Sequence, residues 1–245
     1  MSIKKSFLYL AIILIYSACG NETQTNSSTT NPLVVAQSFS NTFPLQEGDL
    51  LFQDNDCGPF CDAIEKVTHG INGANLSHVG IVIQGGNSEF VVLEAISRGV
   101  VETPIDTFLN RSFDKEGKPK VLVGRLKPAQ QSLVRPAIQS ALQHRGKAYD
   151  DVFDINNDKF YCSELIYFAF KNANEGTPIF QLRLMTYKDP DTKETFPIWA
   201  DYFQKLNKSI PEDQPGLNPG SMSRSLYLNI VYAFGKPEGW RGTGN

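Results

Sequence analysis

The chain has 245 residues, 41% of them hydrophobic and 20% charged, with a formal net charge of −3. That fits one ordinary globular domain with enough apolar material for a real core. Mild acidity without any Lys/Arg-rich run leaves no electrostatic footprint for nucleic acid, which is therefore excluded as a partner.

The N-terminus begins as an address label. Lys4 and Lys5 precede the apolar run "FLYLAIILIY" and small residues ahead of Cys19, the pattern of a secretory signal over residues 1–18. "YSAC" resembles a bacterial lipobox, which makes Cys19 the lipidated first residue and anchors the protein to a membrane of a bacterial cell envelope. Tyr16 departs from the usual aliphatic residue of that motif, so plain cleavage near Ala18 is the competing reading. Residues 19–42 are polar, Ser/Thr/Asn-rich and aperiodic, as a disordered tether is. The folded domain is expected over 43–245.

"GDLLF" reads as a short buried strand, and "PFCDAIEKVTHG" as a helix with proline at its start and Gly70 at its end. Cys57 and Cys61 flank that start. In an oxidising compartment they can pair, but a spacing of four also occurs on a regular helical turn, where disulfide vectors are poor. A zinc site of Cys57, Cys61 and His69 lacks a fourth ligand nearby. No metal and no cofactor are implied.

"LSHVGIVIQGGNSEFVVLEAIS" holds two β-branched runs around Gly85-Gly86-Asn87, a hairpin signature. If those three residues form the loop, Gln84 faces Ser88, Val82 faces Phe90, Gly80 faces Val92 and His78 faces Glu94. Facing residues share one side of the sheet, with Cβ atoms about 4.5–5.5 Å apart. "GVVETPI" continues the sheet, and "TPIDTFLNR" reads as a short helix capped by Thr103. "KVLVGRL" is another strand. "PAQQSLVRPAIQSALQHRG" is an amphipathic helix in which Pro136 predicts a kink or a later start. In "FYCSELIYFAF" the apolar run is too continuous for a surface helix and implies a buried one with Cys162 at its first turn. Beyond residue 175 the sequence is Pro/Gly-rich with scattered aromatics and weak element signals.

A helix N-terminus favours an anion and leaves backbone N–H groups free, so Cys162 is well placed for a nucleophilic thiolate. A lone cysteine at a helix start is more often structural, and the thiol needs a base. Of the three histidines, His69 and His144 end predicted helices, where a solvated or capping role suffices. His78 starts a strand opposite a carboxylate, and Glu94 would fix its tautomer and orientation as the third member of a triad does. Glu164 reads as a complement to the positive end of the cysteine helix.

Taken in order, "GDLLF", "LSHVGIVI", "LEAISRGVVETPI" and "FYCSELIYFAF" resemble the permuted papain-like amidases of the NlpC/p60 superfamily, YiiX/YaeF type, over residues 44–175, and "PGLNPGSMSRS" is similar to that family's C-terminal segment. The resemblance implies an α+β fold, circularly permuted and papain-like, with an antiparallel sheet packed on the cysteine helix. It also implies thiol amidase chemistry: Cys162 as nucleophile, His78 as general base then acid, Glu94 as orienting residue, and Tyr161 lining the substrate pocket or helping the oxyanion site. Characterised relatives point to amide bonds near a lysine-like or amino-acid group, so cell-wall peptides are the obvious substrate class in an envelope. Lipid acyl transfer or thioester hydrolysis by the same thiol is the main alternative. A non-catalytic binding lipoprotein is the other, and an intact Cys/His/Glu set argues against it.

Overall fold

The computed structural model describes Ser38, Phe39 and residues 41–242. The signal segment, Cys19 and most of the expected tether lie outside the described residues. The chain divides into Met1–Val35 and Ala36–Asn245, and everything below concerns the second unit. Its described part begins earlier than the expected domain start. Phe39 takes an Asp106 carboxylate on its N–H at 2.7 Å and packs against buried side chains of the domain.

Six antiparallel strands form the central sheet: β1 (Leu50–Gln53), β2 (His78–Gln84), β3 (Phe90–Ile96), β4 (Gly99–Pro104), β5 (Val121–Leu126) and the late β8 (Leu228–Ala233), in the spatial order β4-β3-β2-β1-β5-β8. Both faces are covered, which explains why the strands read as nearly unbroken apolar runs. Along β1, β2 and β3 alternate residues separate into two cores. Leu50, Phe52, Ile81 and Leu93 join the core that holds the long buried helix. Leu51, Val82 and Val92 join a second one with Phe108 and Leu109 of α2 (Ile105–Leu109).

The remaining elements are α1 (Pro59–Val67), α3 (Val134–Leu142), α4 (Cys162–Ala173), the two-residue strands β6 (Arg183–Leu184) and β7 (Pro215–Gly216), α5 (Pro197–Lys205) and α6 (Pro219–Ser223). α3 and α4 pack together against the sheet. Pro136 falls in the first turn of α3, after a 3-10 segment over Pro128–Leu133, where the missing N–H costs no intrahelical bond. That is the later start anticipated above. α1 stops at Val67 with Thr68 as its C-cap, short of Gly70.

The hairpin register differs from the expected one. Val82 pairs with Val92 and Gln84 with Phe90. The loop still has three residues, but they are Gly86-Asn87-Ser88: the Gly85 N–H donates to the Glu89 carbonyl at 2.7 Å, and the Ser88 N–H to the Gly85 carbonyl at 3.1 Å. This is a turn followed by a left-handed residue, and that residue is Ser88, at φ 67°, not a glycine. The Asn87 side chain supports it by bonding both the backbone N–H and the carboxylate of Glu89. Moving the loop by one residue slides the strands by two, so Glu94 lies opposite Gly80 rather than His78. A two-residue slide preserves the face, because side chains alternate with period two. Histidine and glutamate therefore remain on one side, related diagonally.

Thr103 is not a helix cap. α2 starts at Ile105 with Pro104 as N-cap and no side-chain capping bond, and the threonine hydroxyl is used elsewhere.

Candidate active site

Cys162 is the first residue of α4 and the one free cysteine among the described residues. Two bonds anchor the start of this helix to the late segment around residue 217. The Ser163 hydroxyl donates to the Leu217 carbonyl at 2.9 Å, and the Leu217 N–H donates to the Tyr161 hydroxyl at 3.3 Å. Below the first turn, Leu165, Ile166, Ala169 and Phe170 are fully buried. Each large side chain among them contributes on the order of 2 kcal/mol to holding the helix in place.

His78 begins β2. One ring nitrogen, Nε2, lies 2.6 Å from Glu94 Oε2, and the ring faces the same cavity as Cys162, whose side chain favours its charged form. The diagonal reach across the hairpin is open because the residue between them is glycine. A Cβ on Gly80 would stand 2.3 Å from Val92 Cγ1 and 3.2 Å from Glu94 Cβ. Burial by itself would push the imidazole down, but the bonds to Cys162 and Glu94 outweigh it and hold His78 up at about 9. The site therefore favours the protonated ring.

Glu94 has no solvent exposure and is fully satisfied. Besides His78, it takes a bidentate fork from Arg111, with Nη1 to Oε2 at 2.7 Å and Nη2 to Oε1 at 2.5 Å, and the Thr103 hydroxyl on Oε1 at 2.5 Å. Burial raises such a carboxyl, but Arg111 and His78 together win and lower it to about 2. Arg111, which follows α2, also lies over the Phe108 ring at 5.0 Å. Neither Arg111 nor Thr103 stands out in the sequence. β4 pairs Val92 with Thr103 and Glu94 with Val101, so the threonine's place on the glutamate face is readable only from the register of β3 and β4.

Glu164 stands in the first turn of α4. Its Oε2 accepts the Tyr161 N–H at 3.2 Å, while its Oε1 is buried without a hydrogen-bond partner among the described residues. Burial, reinforced by the nearby charges of Asp150, Asp154 and Cys162, raises it to about 8. A carboxyl that burial shifts toward its neutral form complements the helix terminus less than a full charge would.

Cys57 and Cys61 form a disulfide across the start of α1, with Cα atoms 5.3 Å apart. Gly58 between them adopts φ 65°, which takes Cys57 off the helical path and brings the sulfurs together. Among the described residues no group of three or more His, Cys, Asp or Glu side chains is arranged to hold a metal. His69 is exposed beyond the end of α1. His144 is not a solvated terminus: its ring packs at a tilt against Phe160 with centroids 4.2 Å apart, its Nε2 is buried without a partner among the described residues, and burial lowers its pKa.

Cys162 and His78 open onto a cavity of about 610 Å³. Tyr161 lines it. So do the Cys57–Cys61 disulfide and residues from the C-terminal stretch: Met185, Tyr187, Trp199, Tyr202 and Leu217.

A thiol at a helix start, on an imidazole held by a buried carboxylate and reached through a strand that precedes the helix in sequence, is a permuted papain-like arrangement. Residues 44–232 match the family described as permuted papain-like amidase enzyme, YaeF/YiiX, C92 family. The chain belongs to this family. Over 188 residues it is 30% identical to the uncharacterized protein YiiX of Escherichia coli K12, covering 76% of this chain and 85% of that one. It also resembles a crystal structure described as metalloprotein yiiX of Escherichia coli O157:H7, with a TM-score of 0.61 and 25% identity, covering 78% of this chain and 98% of the other. The fold is thus the α+β, circularly permuted papain-like one.

Proposed function

We propose that this member of the C92 family is a thiol hydrolase that cleaves an amide bond with Cys162 as nucleophile, His78 as proton carrier and Glu94 as the group that orients the imidazole. The observation that carries this reading is the buried His78–Glu94 pair, Nε2 to Oε2 at 2.6 Å, opening onto the same cavity as Cys162 at the head of α4. In the reacting pair the Cys162 proton passes to His78, which gives a thiolate beside an imidazolium. The sulfur attacks the amide carbonyl carbon, and the oxygen takes up negative charge beside the first-turn N–H groups of α4, which have no intrahelical acceptor. The C–N bond breaks as the imidazolium proton passes to the leaving nitrogen, giving a free amine and a thioester on Cys162. Neutral His78 then takes a proton from water, whose oxygen attacks the thioester, releasing a carboxylic acid and restoring the thiolate. Cell-wall peptides or lysine adducts are substrates of the right bond type. Transfer of the acyl group to a lipid acceptor uses the same thiol, and the apolar walls of the cavity are what favour it as a second reading.

Alkylation by iodoacetamide across pH, followed by intact mass, tests the ion pair. Wild type is expected to react at pH 6, and His78→Ala to react there on the order of 10- to 100-fold more slowly. A wild type that reacts only above pH 8, with no change on removing His78, would sink the model.

The N-terminal sequence supports a location in a bacterial envelope, anchored through lipid on Cys19, since acyl chains add about 0.8 kcal/mol of membrane affinity per buried methylene. Full-length protein expressed in a bacterial host is expected to partition into the detergent phase. Cys19→Ala should move it to the aqueous phase, and unchanged partitioning would count against the anchor.

A further inference from the structure

We propose that the Cys57–Cys61 disulfide is a reducible tie on the wall of the Cys162 cavity, opened by a dithiol that attacks the exposed Cys57 sulfur, and that its reduction widens access to the nucleophile. This adds regulation to the thiol hydrolase proposed above and rests on that reading for its consequence.

The bond shares a cavity with the reactive thiol: Cys57, Cys61, His78 and Cys162 all line it. Its two ends differ. Cys57 is exposed, whereas Cys61, in the first turn of α1, is only 4% exposed. An incoming thiolate therefore meets Cys57, because access decides which sulfur is attacked, and Cys61 is the sulfur that leaves. Free backbone N–H groups at a helix start favour the departing thiolate. The exposed Asp62 carboxylate beside it offsets part of that gain. In the first step an S–S bond forms between the dithiol and Cys57 as the Cys57–Cys61 bond breaks. The second sulfur of the dithiol then displaces Cys57. One dithiol is oxidised to a disulfide, and its two protons end on the Cys57 and Cys61 thiols.

The bond acts locally. The restraint a disulfide places on the unfolded chain grows with the loop it closes, and here the sequence separation is 4, so little of its effect is global. What it holds is the start of α1, which has no side-chain cap. The connection from β1 is fixed as far as Asp56: the Asn55 N–H donates to the Ser77 hydroxyl at 3.0 Å, and Lys120 Nζ to the Asp56 carboxylate at 2.6 Å. From there into the helix the disulfide is the cross-tie. The turn it pins carries Phe60, whose ring centroid lies 4.6 Å from that of Trp199 and 5.4 Å from that of Tyr202 on α5. All three rings belong to the cavity wall. Cutting the bond frees this turn to carry Phe60 away from α5, which opens the wall beside Cys162.

Full-length protein is titrated with mixtures of dithiothreitol and its oxidised form, without denaturant, then quenched, alkylated and mapped by peptide mass. Cys57 and Cys61 are expected to become free together while the thermal midpoint moves by only a few degrees. Access to Cys162 is then read as the ratio of its rates with a bulky probe, pyrene maleimide, and a small one, iodoacetamide. Oxidised wild type is compared with the Cys57→Ser/Cys61→Ser double variant, in which Cys162 is the cavity's remaining thiol. The ratio is expected to rise on the order of 5-fold or more in the double variant. Reduced wild type, followed at the Cys162 peptide, should match it, and reoxidation should restore the starting value. A disulfide that opens only in urea would overturn the proposal. So would one that opens with the ratio unchanged while iodoacetamide reacts normally, and that result leaves the thiol-hydrolase reading intact. A Cys162 that reacts with neither probe near neutral pH in either state would overturn the thiol-hydrolase reading, and the proposed control with it.

Discussion

Cys162→Ala is expected to abolish hydrolysis of an N-acyl 4-nitroanilide, lowering kcat by about 10⁴-fold or more, with the unfolding midpoint moved by only a few degrees. The large effect follows from the chemistry, since without sulfur no thioester forms and the remaining groups can only polarise the carbonyl. The small structural effect follows from the position: Cys162 is 7% exposed, and its side chain is small and ends against an open cavity. His78→Ala should cost about 10²- to 10⁴-fold, the usual range for a positioned acid or base. The double variant should be hardly worse than Cys162→Ala alone, because groups acting on one step are not additive. Steady-state kinetics with urea unfolding decide the matter. A Cys162→Ala protein that keeps a tenth of wild-type activity would remove the thiol from the mechanism.

Arg111→Ala is expected to destabilise the protein by about 3 kcal/mol at pH 7 and to lower kcat/KM on the order of 10²-fold. The stability figure comes from the state left behind. Glu94 is fully buried, and removing its bidentate partner leaves a buried carboxylate with half its bonds, the costly way to break a buried pair. The kinetic figure comes from orientation, because the carboxylate that holds His78 would be free to rotate or to take up a proton. Arg111→Lys should recover only part of both losses, since an ammonium offers a point charge in place of a fork.

The pH dependence has a definite sign. Glu94 is lowered from 4.5 to about 2, so its contribution is present above pH 4.5 and is lost as pH falls toward 2. The gap in unfolding free energy between wild type and Arg111→Ala should therefore be widest at neutral pH and narrow through that window. Because His78 is raised to about 9, its contribution is complete below pH 6.5 and fades as pH rises through 9. Urea titrations at pH 3, 7 and 9.5 measure both. A difference below about 1 kcal/mol at pH 7 would show that Arg111 does not clamp Glu94.

Local sequence was sufficient for the strands β1 to β5, for the buried helix α4 with Cys162 at its head, and for His78 and Glu94 on one face. Each of these depends on periodicity of two or 3.6 residues, or on a short turn, which are properties of a few neighbouring residues. Even the misplaced hairpin loop did little harm. An error of one loop residue moves facing pairs by two and leaves the alternation intact, so a direct pair became a diagonal one, bridged over Gly80.

Other features came from residues far apart in the chain. Arg111 is 17 residues from Glu94 and reaches it only because α2 folds back over the second core. Glu164 looked like a charge at a helix end, and its protonation depends on burial that no local pattern encodes. Apart from Phe60 of α1, the aromatic wall of the cavity comes from residues 149–202, where elements are short and the side chains have no common periodicity. They converge because α5 and the segment around Leu217 dock against α1 and the head of α4. The sequence by itself determined where the candidate reactive side chains stand, since they sit at elements with strong local signals. Tertiary structure alone decided their hydrogen-bond partners and the chemical character of the cavity they open onto, because burial and convergence depend on packing between distant segments.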